Sequence, residues 1–468
     1  MSIRVDLERW LERPGELPAA RDVALTIGEL GVEAVPVTRS GGGGRLALPA
    51  PVNAHDHGYG VRPFGFGAMD DALEPWIPGL GQRPRTDPYR EAVVAFGRLA
   101  LGGVGATMHC HNSLRAGRLV EEAQAVARAA RDIGLRLALS CPLLDANPWV
   151  YGGIDALRPH LSAEEWEVLE PLVPRYADPE AQIAAVDAVA TACAGGLVDV
   201  QYGPIGPQWC SQRLLAAIAD ASARTGRRIH MHLLESPRQR RWLDQRYPQG
   251  IVPFLDSIGF LSPRLAVAHG VQLRPDECEL LAERGVQVVS NPSANLRLRS
   301  GIAPITQFQR SGLTFAFGLD GTGLDDDQDL WRELRLAFLL HGGQGLDPAL
   351  SAAALFGAAL DGGARVVNQP ARRDVAILDW AGLTADALFD DLDEAAVLLG
   401  RTTRAHVEGL VVDGRWVVRE RQLAGVDFAA AEAELLAEAR AGSQALLMAR
   451  EKARMLSRVT RRFYAGWV

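Results

Sequence analysis

Residues 228–234 read Arg-Ile-His-Met-His-Leu-Leu, a short apolar run that follows the helical pattern Gln212 to Thr225 and stops at the charged stretch opened by Glu235. A run of this length between helix-period segments reads as a strand buried in a parallel sheet. Seven further runs repeat it: Pro51 to His57, Gly105 to His111, Arg136 to Leu143, Val198 to Gly203, Leu265 to Val271, Val286 to Ser290 and Leu313 to Leu319. Helical patterns lie between them, such as Arg118 to Ile133, Ala181 to Ala194, Pro275 to Arg284 and Asp329 to Leu340. Eight strands alternating with helices predict a parallel sheet, and eight is the number that closes a barrel. The expected fold class is α/β, a (β/α)8 TIM barrel over residues 51–364.

The two flanks differ from this middle. Asp22 to Leu48 reads as short strands broken by the glycine run Gly41 to Gly44, and Arg373 to Leu378 and Ala405 to Val418 read as strands with Asp413-Gly414 as a hairpin turn. A small β-sandwich built from residues 1–50 and 365–425 is predicted. Phe428 to Met455 is an Ala/Glu/Leu/Arg helix. It belongs to a helical extension, 426–468, that packs on the barrel or on a neighbouring subunit. The segment Gly58 to Val104, rich in Gly, Pro and Arg, reads as a wall over the mouth of the barrel.

Composition narrows the function classes. The 468 residues are 48% hydrophobic and 23% charged, as in an ordinary globular protein. At about 150 residues per domain the length suggests about three units, although one barrel can absorb 250 residues or more. The net charge of -8, with no basic block, argues against nucleic acid as a partner. No run approaches the ~20 apolar residues of a membrane span, and the start shows no apolar leader. Five cysteines without CxxC spacing form no disulfide framework and fit a reducing cytoplasm.

Ten histidines occur, and six form the pairs His55-Asp56-His57, His109-Cys110-His111 and His230-Met231-His232. In a strand, residues i and i+2 point to the same side, so each pair can face one barrel interior. The C-terminal rim is where barrel enzymes keep their chemistry. A single HxH is more often solvated or satisfied in a core, but three pairs and His269, all at strand ends, point to a metal. A catalytic zinc takes about three protein ligands and keeps one position open. His55, His57 and His232 could supply nitrogen and Asp320 a carboxylate, although Asp320 beside Gly321 also suits a turn.

The motifs resemble the amidohydrolase superfamily, in its branch of cytosine deaminase-like and triazine hydrolase-like enzymes. The resemblance runs in order from Pro51 to Asp329. It rests on Pro51-Val52-Asn53-Ala54-His55-Asp56-His57-Gly58, on Tyr202 to Ser211, on His230-Met231-His232-Leu233-Leu234-Glu235, on Ala268-His269-Gly270-Val271, on Ser290 to Asn295 followed by Ser300 to Pro304, and on Gly318-Leu319-Asp320-Gly321. It implies one divalent ion, zinc or iron, held by His55, His57, His232 and Asp320. It also implies that Asp320 takes a proton from the attacking water, that Glu235 shuttles it to a ring nitrogen and the leaving amine, and that His269 polarises the carbon under attack or holds the tetrahedral oxygen. The implied reaction is hydrolytic deamination of an amino-substituted heterocycle of purine, pterin, pyrimidine or triazine type, by a homo-oligomer, expected to be a dimer. Many two-metal relatives bridge their ions with a carboxylated lysine. Lys452, in the C-terminal helix, is the only lysine of this chain, so that form is unavailable.

The substrate wall is read less sharply. Ile205 stands where many deaminases of this branch carry a histidine, which makes the pocket more apolar there and argues against a purine-nucleoside or adenosylhomocysteine-like substrate. His109 or His111 could reach substrate from the adjacent wall or form a hydrogen-bonded barrel layer. His230 would lie deeper and pack. Trp76, Trp149 and Trp209 could stack on a planar ring or plug the barrel end. Asn291 could touch substrate or, with Asn295, order the seventh loop. Arg62, Arg83 and Arg85 could meet an anionic group or stay solvated. Two alternatives remain at this stage: the same site cleaving another C–N bond, a C–Cl bond or a cyclic amide, and an inactive scaffold that kept the fold.

Overall fold

The computed structural model describes residues 2–28, 31–38, 43–113, 117–321, 323–370 and 372–467. Of the glycine run, Gly41 and Gly42 lie outside the described residues. Four strands come first: β1 (Ser2–Trp10), β2 (Ala20–Gly28), β3 (Gly31–Pro36) and β4 (Arg45–Pro49). The barrel strands follow: β5 (Val52–Asp56), β6 (Ala106–Cys110), β7 (Arg136–Leu143), β8 (Val198–Pro204), β9 (Ile229–Leu233), β10 (Leu265–His269), β11 (Gln287–Ser290) and β12 (Thr314–Phe317). Then come β13 (Val375–Asp379), β14 (Val407–Val412), β15 (Arg415–Arg419) and β16 (Gln422–Leu423).

β5 to β12 pair in chain order, each parallel to the next. β6 and β10 are buried along their whole length, as strands covered on both faces must be. The connecting helices carry their own signals. Gln212–Thr225 is capped by the Ser211 side chain, which accepts from the Leu214 N–H, and ends at Gly226 in the left-handed region. Leu119–Ile133 buries Ala123, Val126, Ala127, Ala130 and Ile133, one stripe at helical spacing.

The barrel is closed by a seam and not by a regular ladder. The His55 carbonyl accepts the N–H groups of Leu319 at 3.0 Å and Asp320 at 2.9 Å. Asn53 adds its side-chain oxygen to the Leu319 N–H at 2.9 Å. Gly318 permits this approach, because a Cβ there would lie 2.7 Å from both His55 N and His55 O.

The remaining strands form one mixed sheet in the order β16-β15-β14-β13-β4-β1-β2-β3. Val5, Leu7, Val23, Leu25, Ile377 and Val411, from both chain ends, share one apolar core, which fits the expected β-sandwich flank. Asp413 and Gly414 both have positive φ, 51° and 70°, the primed geometry a two-residue hairpin needs.

Three expectations are corrected. β1 is a full strand, where the sequence reading names no strand before Asp22. Ile3, Val5 and Leu7 turn inward while their charged neighbours face outward. The segment 58–104 is only partly a wall, since Pro88–Leu101 is a largely buried helix that forms the first crossover. The C-terminal helix is two, Phe428–Ala441 and Leu447–Phe463, separated at Gly442. Among the described residues no helix is long and apolar enough to cross a membrane.

Candidate active site

The C-terminal ends of β5 and β9 and the residues after β12 converge on one point. One ligand atom each from His55, His57, His232 and Asp320 lies within 4.8 Å of all the others. Asp320 Oδ1 sits 3.1 Å from His55 Nε2 and 3.2 Å from His57 Nε2, and His232 Nε2 is 3.3 Å from His57 Nε2. At β5 the pairing with β6 shifts register between Asn53 and Asp56, an irregularity that spans His55, and His57 follows just beyond the strand.

Each imidazole is aimed by its other nitrogen. His232 Nδ1 faces the Ile205 carbonyl at 2.7 Å, so Nδ1 carries the proton and Nε2 is left for the cluster. His57 Nδ1 meets the Asn112 amide at 3.1 Å. His55 Nδ1 meets His230 Nε2 at 2.8 Å, with Cys110 Sγ 3.4 Å away. Burial holds His55 and His232 well below the usual imidazole range, so both are neutral with lone pairs to donate. Burial alone would raise the Asp320 carboxyl, but hydrogen bonds from His55 and His57 outweigh it and hold Asp320 well below the carboxylate range. Three imidazoles and one carboxylate are a donor set that fits a divalent transition ion.

Two further groups lie beside this cluster. Glu235 is buried with Oε1 3.3 Å from Ser300 Oγ, and its Oε2 is 3.6 Å from His269 Nε2. Burial, then the charges of Asp320 and Glu74, push the Glu235 carboxyl well above its ordinary range. His269, at the end of β10 with φ 74°, sets Nδ1 2.9 Å from the Asn295 side-chain oxygen and 3.4 Å from the Asn291 amide.

Residues 46–366 match the model of the amidohydrolase family. The chain belongs to this family. Among its relatives, the 8-oxoguanine deaminase of Pseudomonas aeruginosa is 29% identical over 421 residues, 86% of this chain and 88% of that one. The 5-methylthioadenosine/S-adenosylhomocysteine deaminase of Thermococcus sibiricus is 29% identical over 354 residues, covering 72% and 74%. Among solved structures, the zinc complex of atrazine chlorohydrolase from Arthrobacter aurescens superposes with a TM-score of 0.78 at 22% identity, over 93% of this chain and 99% of that one. That likeness concerns the fold.

In this amidohydrolase the remaining expected residues separate into groups. His109 and His111 line one cavity with His57 and Asn112 and are joined in a hydrogen-bonded layer: His111 Nε2 is 3.2 Å from Glu122, and His111 Nδ1 is 3.4 Å from His109 Nε2. Ile205 contributes its carbonyl to His232. Asn291 and Asn295 both address His269. Trp76 packs with Ala68, Leu73 and Leu298, and Trp149 and Trp209 pack with Tyr151, Trp242 and the C-terminal helix. Arg83 lies against Glu91 and over the Tyr59 ring. Asn112 and Ser300 were missed, as was Glu74, which accepts from Tyr151 at 3.2 Å and from Ser236. Asn112 had one signal: it follows the β6 pair directly in sequence.

Proposed function

We propose that this amidohydrolase removes the amino group of a heterocycle by hydrolysis, with one divalent ion held by His55, His57, His232 and Asp320. The observation that carries the reading is the meeting of those four donors within 4.8 Å, with Glu235 and His269 on the same rim. Held by these residues, a divalent ion would supply Lewis acidity, lowering the pKa of water toward neutrality for attack on a C=N carbon. Asp320, ionised between two imidazoles, accepts the proton of the attacking water. Glu235, whose carboxyl burial pushes well above its ordinary range, gives its proton to the ring nitrogen. It takes one back from the hydroxyl of the tetrahedral carbon as the C=O forms and passes that one to the leaving amine, after which the proton held by Asp320 restores it. His269 presents Nε2 beside Glu235, where it steadies the oxygen that becomes tetrahedral. Asn295 and Asn291 orient that ring.

The deaminase relatives support an amino-purine as the first substrate class to test, with pterins, pyrimidines and triazines beside it. The imidazole-rich donor set suits zinc. The described cysteines are all free and buried, in keeping with a reducing cytoplasm. We also propose a homodimer, which sedimentation of the purified protein tests. The test of function is ammonia release from a panel of those four ring classes by zinc-loaded enzyme. Turnover of at least one is expected, and no release from any of them overturns the reading. Release of chloride or opening of a cyclic amide instead would assign the same site to another bond. Under about half an equivalent of transition metal after gentle preparation would favour an inactive scaffold.

A further inference from the structure

Arg62, expected to meet an anionic group or to stay solvated, is exposed. It lines a cleft of about 370 Å³ together with Arg98, Arg404 and Arg421. Glu432 is the one acidic residue of that lining among the described residues, and it is engaged with Arg98 Nη2 at 2.7 Å. Arg421 faces Asp379 at 3.0 Å and Glu408 at 3.4 Å, so among the described residues the positive charge that no carboxylate offsets in this cleft is that of Arg62 and Arg404, in a chain whose net charge is -8. The Arg62 guanidinium has no hydrogen-bond partner among the described residues. Arg98 is 5% exposed. Its burial, and further the charges of Arg62 and Arg404, draw its guanidinium below the usual range against the opposing pull of Glu432. Cations crowded in this way favour an anion among them.

We propose that this cleft binds a phosphate group. The Arg62 and Arg404 guanidinium forks match the tetrahedral oxygens of a phosphate, and a dianion balances their two charges. Leu101 and Phe428 supply an apolar edge, which suits the organic part of a phosphate ester. The cleft touches two of the three loops that follow the proposed metal-binding strands, those after β5 and β12. Arg98 Nη1 donates to the Tyr59 carbonyl at 3.3 Å, two residues beyond His57. The Arg404 N–H donates to Asp329 at 2.9 Å and its Nη1 to the Asp327 carbonyl at 3.2 Å, in the loop beyond Asp320. A phosphate held here would brace the two loops from behind. The inference does not rest on the proposed reaction, and its test reads binding.

The experiment is calorimetric titration of the full-length protein with inorganic phosphate and, separately, with adenosine 5′-monophosphate, at low ionic strength. Saturable binding that weakens with added chloride is expected. Arg62→Ala and Arg404→Ala should each weaken it at least about tenfold, the worth of one charge-assisted contact. Both residues are exposed, so the folded state should survive, which circular dichroism checks. Tighter binding of the nucleotide than of inorganic phosphate assigns the cleft to phosphate esters, and equal binding assigns it to the free ion. Absence of saturable binding overturns the proposal. Binding that persists undiminished in the Arg62→Ala/Arg404→Ala double variant also overturns it, because such phosphate would be sitting on the metal centre.

Discussion

Asp320 acts through two of its own groups at once. Its N–H is tied to the His55 carbonyl, and its carboxylate faces the His55 and His57 rings. Asp320→Asn removes the charge and keeps the shape, so metal content should fall while the barrel stays folded. Metal analysis beside circular dichroism reads both. Glu235 stands at the other side of the proposed chemistry. Glu235→Gln should retain metal and lose roughly 10²–10⁴-fold in kcat, the usual worth of an acid–base group. Near-normal turnover would remove Glu235 from that role. Asn112 acts only through His57. Asn112→Ala should weaken metal affinity about 10–100-fold with little change in fold, as loss of a ligand's outer partner does. Competition with a chelator measures it.

Among the elements, the eight barrel strands could be read to within a residue or two, because complete burial leaves a dense apolar run. Leu265–His269 is an example. β1 escaped because half of each residue pair faces solvent, so charge masked the alternation. The site followed the same division. His55, His57 and His232 announce themselves by strand spacing, whereas Ser300, Glu74 and Asn112 matter only once separate loops meet. The helix Leu330–His341 adds a titrating element. Glu333 on it is fully buried, accepts the Ser293 N–H at 2.8 Å, and is pushed by burial up to about 7. Unfolded, this group ionises near 4.5. Between those two values the unfolded chain sheds the proton first, so stability falls as pH rises through that window. Glu333→Gln should flatten this slope and gain on the order of 3 kcal/mol at pH 8, measured by urea unfolding across pH.

For the whole molecule, the ion is expected to add stability without creating the fold, since the apolar core surrounds the barrel on every side. Chelation should lower Tm by the amount set by free metal and its Kd, leave far-ultraviolet dichroism unchanged, and be reversed by zinc. Collapse of the dichroism on chelation would show that folding depends on the ion. The C-terminal helix Leu447–Phe463 ties the molecule together differently. Val459, Phe463 and Tyr464 cover Val150, Tyr151 and Leu157, and the Tyr151 N–H donates to the Tyr464 hydroxyl at 2.8 Å.

The seam at His55 has a consequence for how such a chain can diversify. One carbonyl both ends the barrel and spaces a ligand pair that is 265 positions apart in sequence. Loops strung between those two anchors can lengthen, shorten or be exchanged without disturbing their spacing. Ring preference can thus drift from one descendant to another while the power to hold an ion is inherited intact.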